Sequence, residues 1–295
     1  MRTSTRPGLL LAHITDFEEP HTMTAAEREA YHRRFCTLFL DEGRQRRGGL
    51  RQVAHVVNAQ GEAFALKTLI LPKAGDGQNE DAAARVALRL AAFEEEYQSH
   101  RALSGIKGFP RHFGRGVVDG APVLVMEWVE GETLFAARRR LYLPGQNALL
   151  PLTVAQLGRD LFDLLRRMRL VGDGYAHRDI SPANIMIRTD LRSVERQADD
   201  GSFDLALIDF GSSAEELLDS DGTRFTAAHE VVRRATPAYA APEMMVDGMD
   251  GEGDARAALG REDSIWQGVP SIPTQFFLLV LPRPRFSRSR VQPVR

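Results

Sequence analysis

Four short segments of this 295-residue chain hold residue types suited to handling phosphate and a hard cation. The longest is His177-Arg178-Asp179-Ile180-Ser181-Pro182-Ala183-Asn184. Farther on, Leu205-Ala206-Leu207-Ile208 leads into Asp209-Phe210-Gly211, and Thr236-Pro237-Ala238-Tyr239-Ala240-Ala241-Pro242-Glu243 follows. Upstream, Phe64-Ala65-Leu66-Lys67 closes a run of strand character. Carboxylates, an amide and a lysine are the groups from which phosphoryl-transfer sites are assembled. That reaction asks little covalent chemistry of a protein; it asks for positioning and for cations against phosphate charge. A three-residue match alone is weak evidence. Four matches in order, each on an element of the expected type, form a specific signal.

The elements that position these segments are legible from periodicity and turn residues. Residues 1–37 hold a proline-containing start and a charged helical stretch near Ala25–Phe35, with no evident chemistry. Two strands are expected at Arg51–Val57 and Ala63–Leu71, joined by the turn-forming Asn58-Ala59-Gln60-Gly61. A polar loop, Pro72–Asp81, precedes a helix over 82–103, where Val86, Leu90, Phe93 and Tyr97 are expected to mark one buried face. Val123–Val129 is an apolar strand ending in the linker-like Glu130-Gly131. Val154, Leu157, Leu161, Leu164, Leu165 and Met168 give a second amphipathic helix. Short apolar runs follow at Asn184–Ile187 and Leu205–Ile208, and the polar segment 188–203 between them is expected to be an exposed loop. The order describes an α+β chain, rich in strands first and in helices later.

Together the segments resemble the eukaryotic-like serine/threonine protein kinase family, including its bacterial members, over roughly Leu38 to Glu243. The resemblance implies the two-lobed protein kinase fold. It divides the chain into an N-terminal extension (1–37), a β-rich small lobe (38–129), a partial helical large lobe (130–260) and a divergent basic tail (261–295). It implies ATP and Mg2+ as cofactors and a serine or threonine hydroxyl as acceptor. Lys67 then pairs with the α- and β-phosphates, held by a carboxylate of the 82–103 helix. Glu94, Glu95 and Glu96 are candidates; Glu95 points off the apolar face, and helical geometry does not separate the other two. The family places a leucine seven residues after this glutamate, and Leu103 selects Glu96. Asp179 accepts or orients the proton of the attacking hydroxyl. Asn184 and Asp209 hold magnesium, which prefers hard oxygen ligands. Val53 and Ala65 line the adenine site from above, Met126 stands at its back, Glu127 and Val129 offer backbone groups, and Met186 forms the floor. His177 reads as a packing residue. Arg178 reads equally as a sensor of activation-segment phosphorylation or as a plain structural hydrogen-bonder. Thr223 and Thr226 are the expected autophosphorylation sites, and Thr236 the threonine that contacts the catalytic aspartate.

The chain departs from the family pattern in three places. Counting back from Val53, the three positions of the glycine-rich loop hold Arg46, Gly48 and Arg51, with Gly43 and Gly49 nearby. These arginines either contact phosphate or hinder close backbone approach. Ser181 stands where protein kinases carry a lysine for the transferred group, which keeps a small-molecule phosphotransferase open as an alternative. The degenerate loop and the short segment after Glu243 keep a non-catalytic kinase-like scaffold open as another. That segment holds no acidic residue after Asp263 and is rich in Arg and Pro, as expected of a chain truncated or diverging after about residue 255. Composition sets the remaining bounds. A formal net charge of −2 suggests no nucleic-acid partner, and no run is long enough to span a bilayer. A single cysteine, Cys36, rules out an intrachain disulfide and favours a cytoplasmic setting. The substrate protein and the oligomeric state carry no sequence signal.

Overall fold

The structure, a computed structural model, describes residues 9–48, 51–71, 80–145, 148–172, 174–211, 214–218 and 224–226. Gly49, Thr223, the segment Thr236–Glu243 and the tail 261–295 lie outside the described residues.

Strands β1 (Leu9–His13) and β2 (Thr15–Glu18) precede helix α1 (Ala25–Phe35). β3 (Thr37–Gly48), β4 (Arg51–Val57) and β5 (Ala63–Leu69) lead to helix α2 (Glu80–Leu103), then to β6 (His112–Val118) and β7 (Ala121–Glu127). These strands form one antiparallel sheet in the order β1-β3-β4-β5-β7-β6-β2. Residues 9–35, within the segment read from sequence as an extension with no evident chemistry, thus supply both edge strands and a packed helix. Thr24 caps α1 by accepting from the Glu27 N–H, while the Glu27 carboxylate accepts from the Thr24 N–H at 2.9 Å.

The sheet is covered on both faces, and strand period decides which residue goes where. Ala54, Val56, Phe64, Leu66, Val123 and Val125 face one way and pack with Phe35 of α1. Val53, Ala65, Leu69, Leu124 and Met126 face the other way and pack with Phe93 and Tyr97 of α2. β5 therefore reads as a nearly continuous apolar run, as a strand buried on both sides should. The apolar face expected on α2 is buried only in its second half. Phe93, Glu96, Tyr97 and His100, spaced for one helical face, are buried, whereas Leu90 is 40% exposed. Between β4 and β5, the Asn58 carboxamide oxygen accepts from the N–H groups of Gln60 and Glu62, at 3.0 and 2.9 Å, and Gly61 takes a positive φ.

After β7 come β8 (Gly131–Thr133), a short helix α3 (Leu134–Ala137) and α4 (Pro151–Arg169), which opens on proline and buries Val154, Leu157, Leu161, Leu164 and Met168. β9 (Tyr175–Ala176), β10 (Ile185–Arg188), α5 (Val194–Asp199) and β11 (Leu205–Leu207) follow. A second antiparallel sheet runs β11-β10-β8. Its strands share a core with α4, Leu103, Phe109 and Phe210. The segment 188–203 is not the exposed loop expected. It holds α5, capped by Ser193, with Val194 and Gln197 buried. The Gln197 amide donates to the carbonyls of Arg188 and Arg192 at 2.6 and 3.0 Å, so a polar side chain ties this segment down. β12 (Ala214–Leu218) pairs with β9 and with β13 (Arg224–Thr226). The first sheet is a curled antiparallel unit compatible with the small lobe of a kinase. Among the described residues no helix is long and apolar enough to cross a membrane.

Candidate active site

Period two along β5 puts Lys67 on the same face as Ala65 and Leu69, against α2. Glu96 lies one helical turn from Phe93 and faces the same strand. The two side chains are fully enclosed, and the Lys67 ammonium donates to the Glu96 carboxylate. It donates also to Asp209 Oδ1 at 2.6 Å. Glu94 points elsewhere; it is exposed and engages Arg115 and, at 2.7 Å, Gln98. Glu95 is exposed too. The choice that helix geometry left open is thus decided by contact.

Charge is mutually supported here. Burial works against ionisation of Glu96, but Lys67, His100 and Arg51 together outweigh it and keep the carboxylate pKa low. Burial likewise opposes the Lys67 charge, and Asp209 with Glu96 more than restores it, raising the ammonium pKa. The Lys67 charge holds Asp209 well below the usual carboxylate range.

Asp179 and Asn184 form a second pair. The Asn184 amide donates to the Asp179 carbonyl at 2.8 Å and to its carboxylate at 2.9 Å. The antiparallel β10–β11 pairing brings the two halves of the site together. The Ile208 N–H donates to the Asn184 carbonyl at 2.9 Å, one residue before Asp209. Arg178 and Asp209 both take a left-handed backbone, with φ of 62° and 64°. Such conformations in non-glycine residues cost about 1–3 kcal/mol and gather at functional sites. His177 is buried, its ring in contact with the Ile208 carbonyl at 3.2 Å and with the Phe210 ring at 5.4 Å. Burial, against the pull of Asp179 and Asp209, lowers its pKa. Its surroundings are those of a packing residue.

Val53, Ala65 and Met126 cluster on the first sheet, and Ala65 and Met126 are register partners across β5 and β7. Val129 and Met186 cluster with Ala206 on the second. The Glu127 N–H donates to the Arg111 carbonyl at 2.8 Å. The Glu127 side chain accepts from Arg188 at 2.6 Å. Gly48 closes β3 opposite Arg51. Ser181 is buried, and its hydroxyl has no partner among the described residues.

The residues fit ATP and magnesium chemically. Among the described residues no cluster of three or more His, Cys, Asp or Glu could hold a metal alone. Magnesium characteristically takes only one or two protein carboxylates and completes its shell with phosphates and water. Asp209, ionised and with 47% of its side chain exposed, suits that role beside an amide oxygen from Asn184.

Over 128 residues the chain is 34% identical to the serine/threonine-protein kinase PkaA of Streptomyces coelicolor. The similarity supports a kinase-like relationship. The match covers 43% of this chain and 20% of the relative, so the chain spans about a fifth of that protein's length. No protein-family model matches the chain.

Two residues contribute beyond what the sequence reading assigns, which leaves Arg51 between contacting phosphate and hindering backbone approach and gives Arg188 no role. Arg51 pairs with Glu96 at 3.2 Å and lies 3.8 Å from Asp209. The signal was present, because Arg51 shares strand parity with Val53 and so faces α2. Arg188, which fixes Glu127, opens the segment expected to be an exposed loop. A charged residue ending the apolar run Ile185-Met186-Ile187 was the available hint.

Proposed function

We propose that this chain is an ATP-dependent protein kinase of two-lobed fold that transfers the γ-phosphoryl group to serine or threonine hydroxyls. The observation that carries the reading is the buried Lys67–Glu96 pair, extended to Asp209, on elements that also bring Asp179 and Asn184 together. Such an array has no packing rationale of its own, since burying charge is costly unless it is matched. It suits the reception of a polyphosphate.

In this reading Lys67 neutralises phosphate charge and Glu96 holds the ammonium in place. Asp209 and Asn184 would hold magnesium, which supplies electrostatic stabilisation of the transferred group when bound. Asp179 orients the acceptor hydroxyl and takes its proton, with its carboxylate steadied by the Asn184 amide. Val53, Ala65 and Met126 on one side, with Val129 and Met186 on the other, supply apolar surfaces for adenine. Glu127 keeps the intervening strand end fixed through Arg188.

A second reading, phosphoryl transfer to a small molecule, draws on Ser181. Its hydroxyl is buried and brings no cation to the transferred group. Intact mass after incubation with magnesium and ATP separates the readings. The protein-kinase reading expects added phosphate on the wild type and none on Asp179→Ala. Nucleotide binding without phosphorylation of itself or of a generic protein acceptor such as casein would favour the small-molecule reading.

A further inference from the structure

The glycine-rich-loop resemblance places a glycine where this chain has Arg51, and the structure gives that arginine a specific destination. Arg51 opens β4 and turns its side chain inward, leaving 12% of it exposed. Its Nε lies 3.2 Å from Glu96 Oε2 and its Nη1 lies 3.8 Å from Asp209 Oδ1. The same Asp209 oxygen accepts from Lys67 at 2.6 Å. Two cations therefore converge on one carboxylate oxygen. Gly211 accommodates the arrangement. A Cβ there would lie 1.5 Å from Arg51 Nη1, so the guanidinium fills space that any other residue would claim.

Toward Glu96 the guanidinium is held by charge and not by an aligned hydrogen bond. Arg51 Nε and Glu96 Oε2 are both buried, and neither makes a hydrogen bond among the described residues. That Nε donor is uncommitted, beside the Lys67 ammonium and in a place open through Asp209. A planar fork of N–H groups matches the oxygens of a phosphate better than a single carboxylate oxygen already taken by lysine.

We propose that Arg51 is a nucleotide-phosphate ligand, a side-chain cation serving where the loop lacks glycines. Without nucleotide it rests on Glu96 and Asp209; with nucleotide it turns its fork to the phosphate oxygens next to Lys67. This inference rests on the nucleotide-binding reading above. A guanidinium that instead blocks the site, standing where magnesium would go, predicts the opposite sign.

Titration calorimetry of the full chain with magnesium-ATP and with adenosine tests the proposal. Arg51→Gln, close in length and uncharged, should weaken magnesium-ATP binding roughly ten- to hundredfold, the loss expected for a charged hydrogen bond. Adenosine, which has no phosphate, should change by less than about twofold. Arg51→Lys keeps the charge without the fork and should fall between. Thermal unfolding of each variant confirms a folded sample, and Arg51→Lys decides the matter should Arg51→Gln fail to fold. Magnesium-ATP affinity that is unchanged or improved in the substituted proteins overturns the role of Arg51 while leaving the nucleotide reading intact. A wild type that binds neither ligand overturns both.

Discussion

At the scale of single residues, the centre of this protein is a balance of charges that no member could sustain alone. Lys67 and Arg51 oppose Glu96 and Asp209, and three of the four side chains are almost wholly enclosed. Removing one member leaves a buried charge without its counterpart, at a cost of about 3–5 kcal/mol. Glu96→Gln should lower stability on that order in chemical denaturation. The double variant Lys67→Met/Glu96→Leu should recover most of the loss, because it removes both charges together. If the losses simply add, the pair is not coupled. Lys67→Met alone should abolish autophosphorylation whatever it does to stability. Which glutamate would meet Lys67 was legible from sequence only through family resemblance. The helix offered two, and contact across space chose Glu96 while sending Glu94 to Arg115.

At the scale of elements, the second sheet holds the join between the strand that ends at Glu127 and the strand that follows Asn184. Gly131 opens β8 with φ of 151°, and a Cβ there would lie 2.1 Å from the Ile187 carbonyl oxygen. Backbone must part for any side chain, so Gly131→Ala should cost more than about 1 kcal/mol. Its thermal midpoint should fall, and a midpoint equal to wild type would show that β8 and β10 can separate freely. On the first sheet, Phe35 of α1 is fully buried among Tyr31, Phe64 and Phe113. Phe35→Ala should destabilise by about 3–5 kcal/mol, the usual price of deleting a buried ring. A small change would mean that α1 is an appendage to the sheet. The helix was visible in sequence as a charged stretch, but its partner surface was not. Three strands and α1 contribute to that aromatic cluster, Phe17 of β2 joining Phe64 of β5 and Phe113 of β6, and periodicity within one segment says nothing about which distant segment will cover it.

At the scale of the whole molecule, buried histidines tie stability to pH. Burial, with His100, Arg115 and Arg101 adding to it, pushes the His112 pKa down to about 3 from an ordinary value of 6.5. Burial lowers His177 as well. Folded, both stay neutral where the unfolded chain takes up protons. Stability should therefore decline as pH falls below about 6.5, well before carboxylates titrate. His112→Leu should flatten that decline in unfolding free energies measured from pH 8 to pH 5. An equal slope in both proteins would remove His112 as the cause. From sequence alone came the motif residues, the β4–β5 hairpin, the positions of α2 and α4, and the kinase resemblance, because each rests on local periodicity, turn chemistry or spacing. Tertiary structure alone joined β1 and β2 to the sheet, tied the segment 188–203 with its helix α5 down through Gln197, and set Arg51 beside Glu96 and Asp209. Those outcomes depend on which surfaces meet across long separations in the chain, and hydrophobic pattern within a segment does not encode its partner.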